Sequence, residues 1–415
     1  MRRSPTSPDN GGGGDGGGGG DGGGGNFQRA TLTVTVVVAG SDAVLAQQLG
    51  SPGGVLRAAA VTIARFGAST SVSATTDSAG RVRFDSLLTG YYSVSAIRVL
   101  TAAEGGGLPP ADADVNALGG GATVIVTAPV TDTAVTAIAG RRGSLVISEV
   151  SGADPFLPGG GQYRYASFIE LYNNSDTTIY LDGMVIGRSM TVLSDYHSPR
   201  SCAEMERWRN DPDGIWTKWL NAFPGRGRDH PLAPGQLVVV AEDAINHGNF
   251  VPFMPDLSRA DFEFIGFADV DNPAVPNMVN IGLGEWPLIG HGLDFMGAPT
   301  VAFVTLPLDT SSLPRDFLPM VSPIFERVPR DKILDVLSYD YIPAVQAQLP
   351  DFPTCPQLVN AVFDRQYTQV YDPYAIGSMQ RRVFARLPDG RAILLRTKTS
   401  ANDFLFADVT PGVRP

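Results

Sequence analysis

The chain has 415 residues, a formal net charge of −11 and a pI near 4.8. It is longer than one hydrophobic core usually serves, so two or three domains are expected. Hydrophobic residues make up 43% of the chain, too many for a disordered protein, and its negative charge disfavours binding to nucleic acid. The 48 glycines and 32 prolines are typical of an all-β chain with many turns and a flexible tail.

Residues 1–26 are of low complexity, with glycine runs interrupted by Asp15 and Asp21. Such a segment cannot bury apolar surface, so it predicts a flexible tether. Met1-Arg2-Arg3 leads directly into Ser-Pro and glycine, which is not a signal peptide. We therefore expect a signal and a lipid-anchored cysteine upstream of the sequence as written, and a cytoplasmic protein is the competing interpretation. No stretch approaches the roughly 20 apolar residues of a membrane-spanning helix.

Residues 27–140 predict a first β-domain. Thr31–Val38 alternates Thr with Leu or Val and then becomes a valine run, as in a strand that enters a core. Asp77–Gly80 predicts a turn between two strands, and Gly90 a sharp bend before the next strand. Glycine-rich segments at Gly105–Gly107 and Gly119–Gly121 are predicted to be exposed loops. Further strands are predicted at Val61–Ala64, Val124–Val126 and Thr133–Ile138.

One motif in this region is similar to a known domain. Thr-Asp-x-x-Gly-x-x-x-Phe from Thr76 to Phe84 is followed by Gly-x-Tyr-x-Val-x-Ala from Gly90 to Ala96. This pattern resembles the carboxypeptidase-regulatory-like domain, and the resemblance implies a transthyretin-like β-sandwich. Arg141-Arg142-Gly143 is the predicted boundary to a second domain over 143–415.

The second domain opens with three short apolar runs, which predict the strands of a sandwich. They are Ser144–Val150, Phe168–Ser175 and Ile179–Gly187, with Asn, Asp and Gly at the corners between them. A buried strand is predicted at Leu237–Ala241, and a hairpin at Val383–Arg386 and Ile393–Arg396 around Asp389-Gly390. Strands are also predicted at Phe262–Ile265 and Pro299–Leu306. Short helices or turns are predicted at Cys202–Trp208 and Ile215–Leu220, and a short helix around Ile333, Leu334 and Leu337.

The order of these motifs resembles a lamin-tail-type domain, an immunoglobulin-like β-sandwich. Ser148-Glu149-Val150, Ile169–Ser175 and Tyr180–Gly183 carry the resemblance, and 256–264, 269–278 and 328–336 extend it. Together they look like a bacterial family of uncharacterised envelope proteins, typically lipid-anchored and preceded by a carboxypeptidase-regulatory-like domain. That family implies an architecture and a location in the outer envelope, but no reaction.

Three places in the second domain could carry a site. Trp208, Trp216 and Trp219, with Tyr196 nearby, predict either a stacking platform for a sugar or protein, or the cap of a core, and core packing is the favoured interpretation. Cys202 and Cys355 form either one disulfide or two separate buried thiols. An acidic region could hold calcium, although such runs are more often turns that hydrogen-bond to themselves. It contains Asp256, Asp261, Glu263, Asp269, Asp271 and Asn272.

No pattern for catalysis is present in the sequence. His197, His230, His247 and His291 lack the spacing of zinc peptidase ligands, and no Gly-x-Ser-x-Gly segment marks a hydrolase. We therefore predict no metal, no cofactor and no enzymatic activity. The sequence predicts an exported structural or interaction protein whose partners are other envelope proteins or copies of itself. The alternative is a glycan-binding module that uses the tryptophans and the acidic region.

Overall fold

The structure, a computed structural model, describes most of the chain from Arg29 onward. The predicted tether, Tyr196 and Cys355 lie outside the described residues, as does the side chain of Cys202, so the predicted disulfide stays a prediction. Within the described part, no helix is long and apolar enough to cross a membrane. The described residues are 29–65, 68, 70–109, 114–152, 155, 157, 159–161, 163, 165–189, 199–265, 271–283, 300–318, 321–341, 357–370, 376–387 and 389–415.

The fold is all-β, as predicted, and its first part is an N-terminal sandwich with two short helices. Polar and apolar residues alternate along its strands, so every second side chain turns inward. Its elements are β1 (Arg29–Val38), α1 (Ala43–Gln48), β2 (Ala60–Arg65), β3 (Ser71–Thr75), β4 (Arg81–Leu88), β5 (Gly90–Val99), α2 (Ala102–Gly106), β6 (Val115–Val126) and β7 (Val130–Arg141).

These strands form one seven-stranded sheet in the order β3-β2-β5-β6-β7-β1-β4. Strands β1 and β7 pair in parallel, and the other neighbours are antiparallel. The sheet folds over on itself, because side chains from both of its halves meet in one core. That core includes Leu32 and Val36 from β1, Ile63 from β2, Val94 from β5 and Val135 from β7.

The second part is a C-terminal sandwich with two larger sheets. Its first strand begins at Leu145, four residues after β7 ends at Arg141. Its elements are β8 (Leu145–Ser151), β9 (Phe168–Asn173), β10 (Ile179–Tyr180), β11 (Val185–Ser189), α3 (Pro199–Arg209), β12 (Gly214–Ala222), β13 (Pro231–Leu232), β14 (Leu237–Ala241), β15 (Phe262–Glu263), β16 (Val279–Asn280), β17 (Thr300–Thr305), β18 (Arg315–Leu318), β19 (Val321–Pro329), β20 (Ile333–Tyr341), β21 (Thr368–Val370), β22 (Ser378–Arg381), β23 (Val383–Arg386), β24 (Ala392–Leu394), α4 (Ser400–Asp403) and β25 (Phe404–Ala407).

The two sheets enclose a common core. One sheet has the order β15-β14-β9-β8-β22-β25, and the other β18-β19-β12-β11-β17-β20-β21 with β16 paired to β12. Leu171 and Val240 from the first sheet meet Ile186, Val304 and Leu337 from the second in one apolar cluster. The predicted hairpin at the end of the chain is confirmed as β23 and β24.

Four local predictions are wrong, and one of them is the exposed loop at Gly105–Gly107, because Gly105 and Gly106 lie in the helix α2. The segment expected to be a short helix or turn at Ile215–Leu220 lies in β12, and the helix expected around Ile333 to Leu337 is the strand β20. Both strands lie inside the larger sheet, between partners on either side, and apolar side chains of both contribute to core clusters. Such strands lack the period-2 alternation that would distinguish them from a helix.

The glycines Gly119–Gly121, predicted to be an exposed loop, lie in β6, and Gly119 and Gly121 face the C-terminal sandwich. A Cβ on Gly119 would come within 3.0 Å of Asn402 and Thr397, so glycine is what allows the two sandwiches to approach closely. Asn402 Nδ2 donates to the carbonyl oxygen of Ala96 (3.1 Å).

A second contact between the sandwiches lies beside these glycines. Gln366 Nε2 donates to Ala122 O (2.9 Å) and to Ser93 Oγ (3.0 Å), and an Arg365 guanidinium nitrogen donates to Thr136 O (3.2 Å). The sandwiches are thus joined by hydrogen bonds to the backbone of β6 and β7.

Candidate functional site

Two of the predicted site tryptophans lie in a small core between α3, β12 and β19. Trp208 and Trp216 are 8% and 7% exposed and pack with Met205 and Phe325. Their indole N–H groups are also used internally, because Trp208 Nε1 donates to Asp316 (3.0 Å) and Trp216 Nε1 to Asp211 (2.8 Å). This is the packing that the sequence analysis favoured.

Trp219 is only partly buried and packs against the central core of the C-terminal sandwich. Lys218 Nζ lies 4.8 Å from the centre of its ring, and the guanidinium carbon of Arg188 lies 5.8 Å from it. Cations over an indole ring are attracted by its quadrupole. The described residues therefore do not bring two exposed indole rings together.

In the acidic region, the side chains of Glu263 and Asp261 accept hydrogen bonds from backbone N–H groups. One carboxylate oxygen of Glu263 accepts a hydrogen bond from the backbone N–H of Ala244 (2.9 Å), and the other oxygen accepts one from the backbone N–H of Asn272 (2.8 Å). Asp261 accepts from Val239 N (2.9 Å). Among the described residues no three His, Cys, Asp or Glu side chains are grouped to hold a metal ion, and Asp269 lies outside them.

Asp256 and Asp271 of the acidic region accept hydrogen bonds from residues that follow them closely in the sequence. Asp256 accepts from the backbone N–H (3.0 Å) and the hydroxyl (2.6 Å) of Ser258, and Asp271 accepts from Asn277 Nδ2 (3.0 Å). The side-chain bonds from Ser258 lower the pKa of Asp256. The region also lines an open cleft of about 790 Å³ whose charges are mixed, with Asp261 beside Arg259 and Arg414.

The two described histidines differ in their surroundings, while His197 and His291 lie outside the described residues. His247 is buried, with Nε2 2.9 Å from Asp243 O and Nδ1 2.8 Å from the Tyr163 hydroxyl. A carbonyl can only accept, so Nε2 carries the proton and Nδ1 accepts from Tyr163. Burial lowers the pKa of His247, and burial together with Asp243 raises the pKa of Tyr163 to about 12. The pair is neutral.

His230 lies beside Asp182, with Nδ1 3.6 Å from Oδ1. Burial alone would raise the pKa of Asp182, but backbone N–H groups of His230, Asp229 and Gly227 lower it to about 2. The carboxylate therefore fixes the loop between β12 and β13.

Two buried carboxyl groups on β8 and β9 were not recognised from the sequence as a pair. Glu149 and Glu170 are cross-strand neighbours on the outer face of the smaller sheet. Glu149 accepts from the N–H and hydroxyl of Thr410 (both 2.8 Å), and Glu170 from Gly412 N (3.0 Å) and the Ser148 hydroxyl (2.7 Å). Burial raises the pKa of Glu170 to about 8. The pair holds the last segment of the chain across the sheet.

Two exposed aromatic side chains lie in one loop, residues 246–256, which we call the aromatic loop. Phe253 is 90% exposed, more than any other large hydrophobic residue of the described chain, and Phe250 is 63% exposed, whereas Val251 and Met254 of the same loop are buried. Phe250 also stacks on Tyr163, with ring centres 6.4 Å apart and planes at 24°. The buried side chains anchor the loop, and the exposed rings project from it.

The backbone of the aromatic loop is unusual at its tip. Phe253 has φ of +73°, in the left-handed region that bulky side chains rarely adopt. The start of the loop is fixed by Asn246, whose side chain accepts from Gly248 N (3.0 Å), and by buried His247. The only sign of this loop in the sequence is the run Phe-Val-Pro-Phe-Met-Pro at 250–255. Such a run is equally typical of a segment buried in the core.

Comparison with known proteins supports the fold but does not assign a functional site. No protein-family model and no curated protein matches the chain. Among solved structures it is similar to a DUF4876 family protein from Bacteroides thetaiotaomicron VPI-5482, solved at 2.50 Å resolution. The match has a TM-score of 0.50 at 16% identity and covers 93% of this chain and 96% of that chain. The likeness therefore extends over the whole chain and concerns the fold alone.

Proposed function

We propose that this chain is a non-enzymatic, exported interaction protein of the bacterial cell envelope, and that the aromatic loop contacts another envelope protein. The observation that carries the proposal is Phe253, which is almost fully exposed in a strained backbone conformation. A left-handed backbone costs a side-chain-bearing residue about 1–2 kcal/mol. Strain of this kind concentrates at functional sites, where the surrounding structure holds it in place.

The exposed rings suit contact with a protein. Large aromatic side chains supply most of the free energy at the centres of protein interfaces, and end loops of sandwiches commonly make such contacts. Buried Val251 and Met254 hold the loop in one conformation, so little entropy would be lost on binding.

The buried charges give no support to an enzyme. Glu149, Glu170 and Glu263 each accept hydrogen bonds from backbone N–H groups or hydroxyls within the chain. Trp208 and Trp216 are buried, so no observation favours the alternative of a glycan site on those rings. The envelope location rests on the sequence resemblance, and the similar Bacteroides protein is compatible with it.

The test is capture of envelope proteins by the purified full chain, followed by mass spectrometry. We expect the chain to retain a defined envelope protein, and the double variant Phe250→Ser/Phe253→Gly to retain at least fivefold less. Phe253→Gly alone should not lower the melting temperature, because glycine relieves the left-handed strain.

Phe317→Ser is the matched control, since Phe317 is 66% exposed but lies on β18, outside the aromatic loop. Equal capture by the double variant, or capture of cytosolic proteins only, would refute the proposal.

A further inference from the structure

A cleft of about 200 Å³ lies between the two sandwiches, beside the glycine contact. Its N-terminal wall is the outer face of β2 and β5, where Thr62, Ser93 and Ser95 present hydroxyl groups. Its C-terminal wall carries Gln369 on β21 and Arg382, which follows β22. Because β6 is bonded to both Asn402 and Gln366, the walls are held at a fixed distance and the cleft is already formed.

The polar groups that line the cleft are hydroxyls, one amide and one guanidinium, all of which can donate hydrogen bonds. No carboxylate is found among its described lining residues, although the chain as a whole carries a charge of −11. The Arg382 guanidinium forms no ion pair within the described part of the chain. Gln369 Nε2 is buried and has no hydrogen-bond partner there. An anionic ligand would supply acceptors to both groups.

The charge of Arg382 is not fully hydrated. The residue as a whole is exposed, yet burial of its guanidinium lowers its pKa, and the charge of Asp403 opposes that shift. A partly desolvated guanidinium favours an anion that can accept two parallel N–H bonds, as a carboxylate does.

The volume of the cleft and its remaining lining residues restrict the class of ligand further. The volume corresponds to roughly seven water molecules at about 30 Å³ each, close to the room that one pyranose ring needs. Three hydroxyl-bearing side chains can exchange hydrogen bonds with the hydroxyls of a sugar. Phe406 lines the cleft as well and offers an apolar surface for the C–H face of a sugar ring.

We propose that this cleft binds an acidic monosaccharide, a hexuronate, either free or at the end of a polysaccharide. Its carboxylate lies on Arg382, its hydroxyls on Ser93, Ser95 and Gln369, and its apolar face against Phe406. The site shares no residue with the aromatic loop, so the two proposals succeed or fail separately.

The test is isothermal titration calorimetry on the full chain with glucuronate and galacturonate, compared with glucose, acetate and phosphate. We expect saturable binding of at least one uronate, at least tenfold tighter than binding of the other three ligands. Binding of a uronate oligosaccharide with an affinity similar to that of the monosaccharide would identify the terminal sugar of a polysaccharide as the source.

Arg382→Gln should weaken uronate binding at least tenfold, while Arg57→Gln, a change to an exposed arginine on the N-terminal sandwich, should leave it unchanged. Gln369→Glu adds a carboxylate to the cleft and should abolish binding by repulsion. Circular dichroism confirms that each variant is folded. Absence of binding, equal binding of glucose or acetate, or full binding by folded Arg382→Gln overturns the proposal.

Discussion

The two sandwiches are built from similar strands but bury very different side chains. Within the described part of the N-terminal sandwich, the buried polar residues are Ser51, Thr76 and Asn116, and none is charged. The C-terminal sandwich buries charged residues in both of its sheets and in the loops between them. They include Glu149, Glu170, Asp182, Glu263, Glu326, Asp335, Asp364, Arg381 and Asp403.

The difference shows two ways to hold a β-sandwich together. Alternating apolar strands are sufficient in the smaller sandwich. The larger one has long connections, and its buried charges tie them to the sheets. Arg381 on β22 pairs with Asp335 on β20 in the opposite sheet, and its Nε donates to Ile147 O on β8 (2.6 Å). A buried charge tolerates such a position only when it is paired and hydrogen-bonded.

The largest expected effect is therefore loss of that central arginine. Arg381→Ala leaves buried Asp403 without its cation and Asp335 with Arg396 as its remaining partner, and we expect it to lower the free energy of unfolding by about 3–5 kcal/mol. Urea denaturation followed by tryptophan fluorescence measures this, because Trp208, Trp216 and Trp219 lie in the C-terminal sandwich. Arg57→Ala, at an exposed position, should change stability by less than about 0.5 kcal/mol. Equal effects of the two variants would remove the distinction between the sandwiches.

A smaller effect is expected from pH, because the buried carboxyl groups titrate abnormally. The pKa of Glu170 is about 8 in the folded protein, against 4.5 for a free glutamate, so folding favours the protonated form. Its contribution to stability is fully present below pH 4.5 and is lost as the pH rises through 8. Burial likewise raises the pKa of Asp364 to about 7 and of Asp403 to about 6.

Glu170→Gln isolates this contribution. The amide oxygen can accept from Gly412 N as the carboxyl does, and the amide NH2 can donate to the Ser148 hydroxyl, which reverses the bond that Ser148 donates to Glu170, but the amide does not ionise. We expect the melting temperature of the variant to fall less than that of the natural protein between pH 5 and pH 9, a difference of a few kcal/mol in the free energy of unfolding. Parallel melting curves would show that Glu170 does not titrate in this range.

The smallest of the three effects concerns the joint between the sandwiches. A Cβ on Gly121 would overlap Gln366 Oε1, so Gly121→Ala must displace Gln366 from Ser93 and Ala122. We expect a loss of roughly 1–3 kcal/mol and faster cleavage by protease between the sandwiches. Gly106→Ala in α2, where a Cβ meets nothing within 4 Å, is the matched control. Unchanged proteolysis of Gly121→Ala would mean that the two sandwiches are joined elsewhere.

The sequence predicted the smaller sandwich better than the larger one. Thr31–Val38 alternates because only one face of β1 is buried, and Asp389-Gly390 marks a hairpin through its turn chemistry alone. Strand β20 was mistaken for a helix because it is covered on more than one side and shows no alternation. The cleft between the sandwiches depends on residues far apart in sequence, such as Ser93 and Arg382, which no local pattern brings together.

The hydrogen bonds that Glu149 and Glu170 accept from Thr410 and Gly412 also affect the order in which the protein folds. These contacts join residues more than 240 positions apart, so β8 and β9 emerge from the ribosome long before their covering segment exists. The N-terminal sandwich closes within 141 residues and can be complete while the rest is still being synthesised. The larger sandwich should then fold slowly and after release, with its acidic face exposed to chaperones in the meantime.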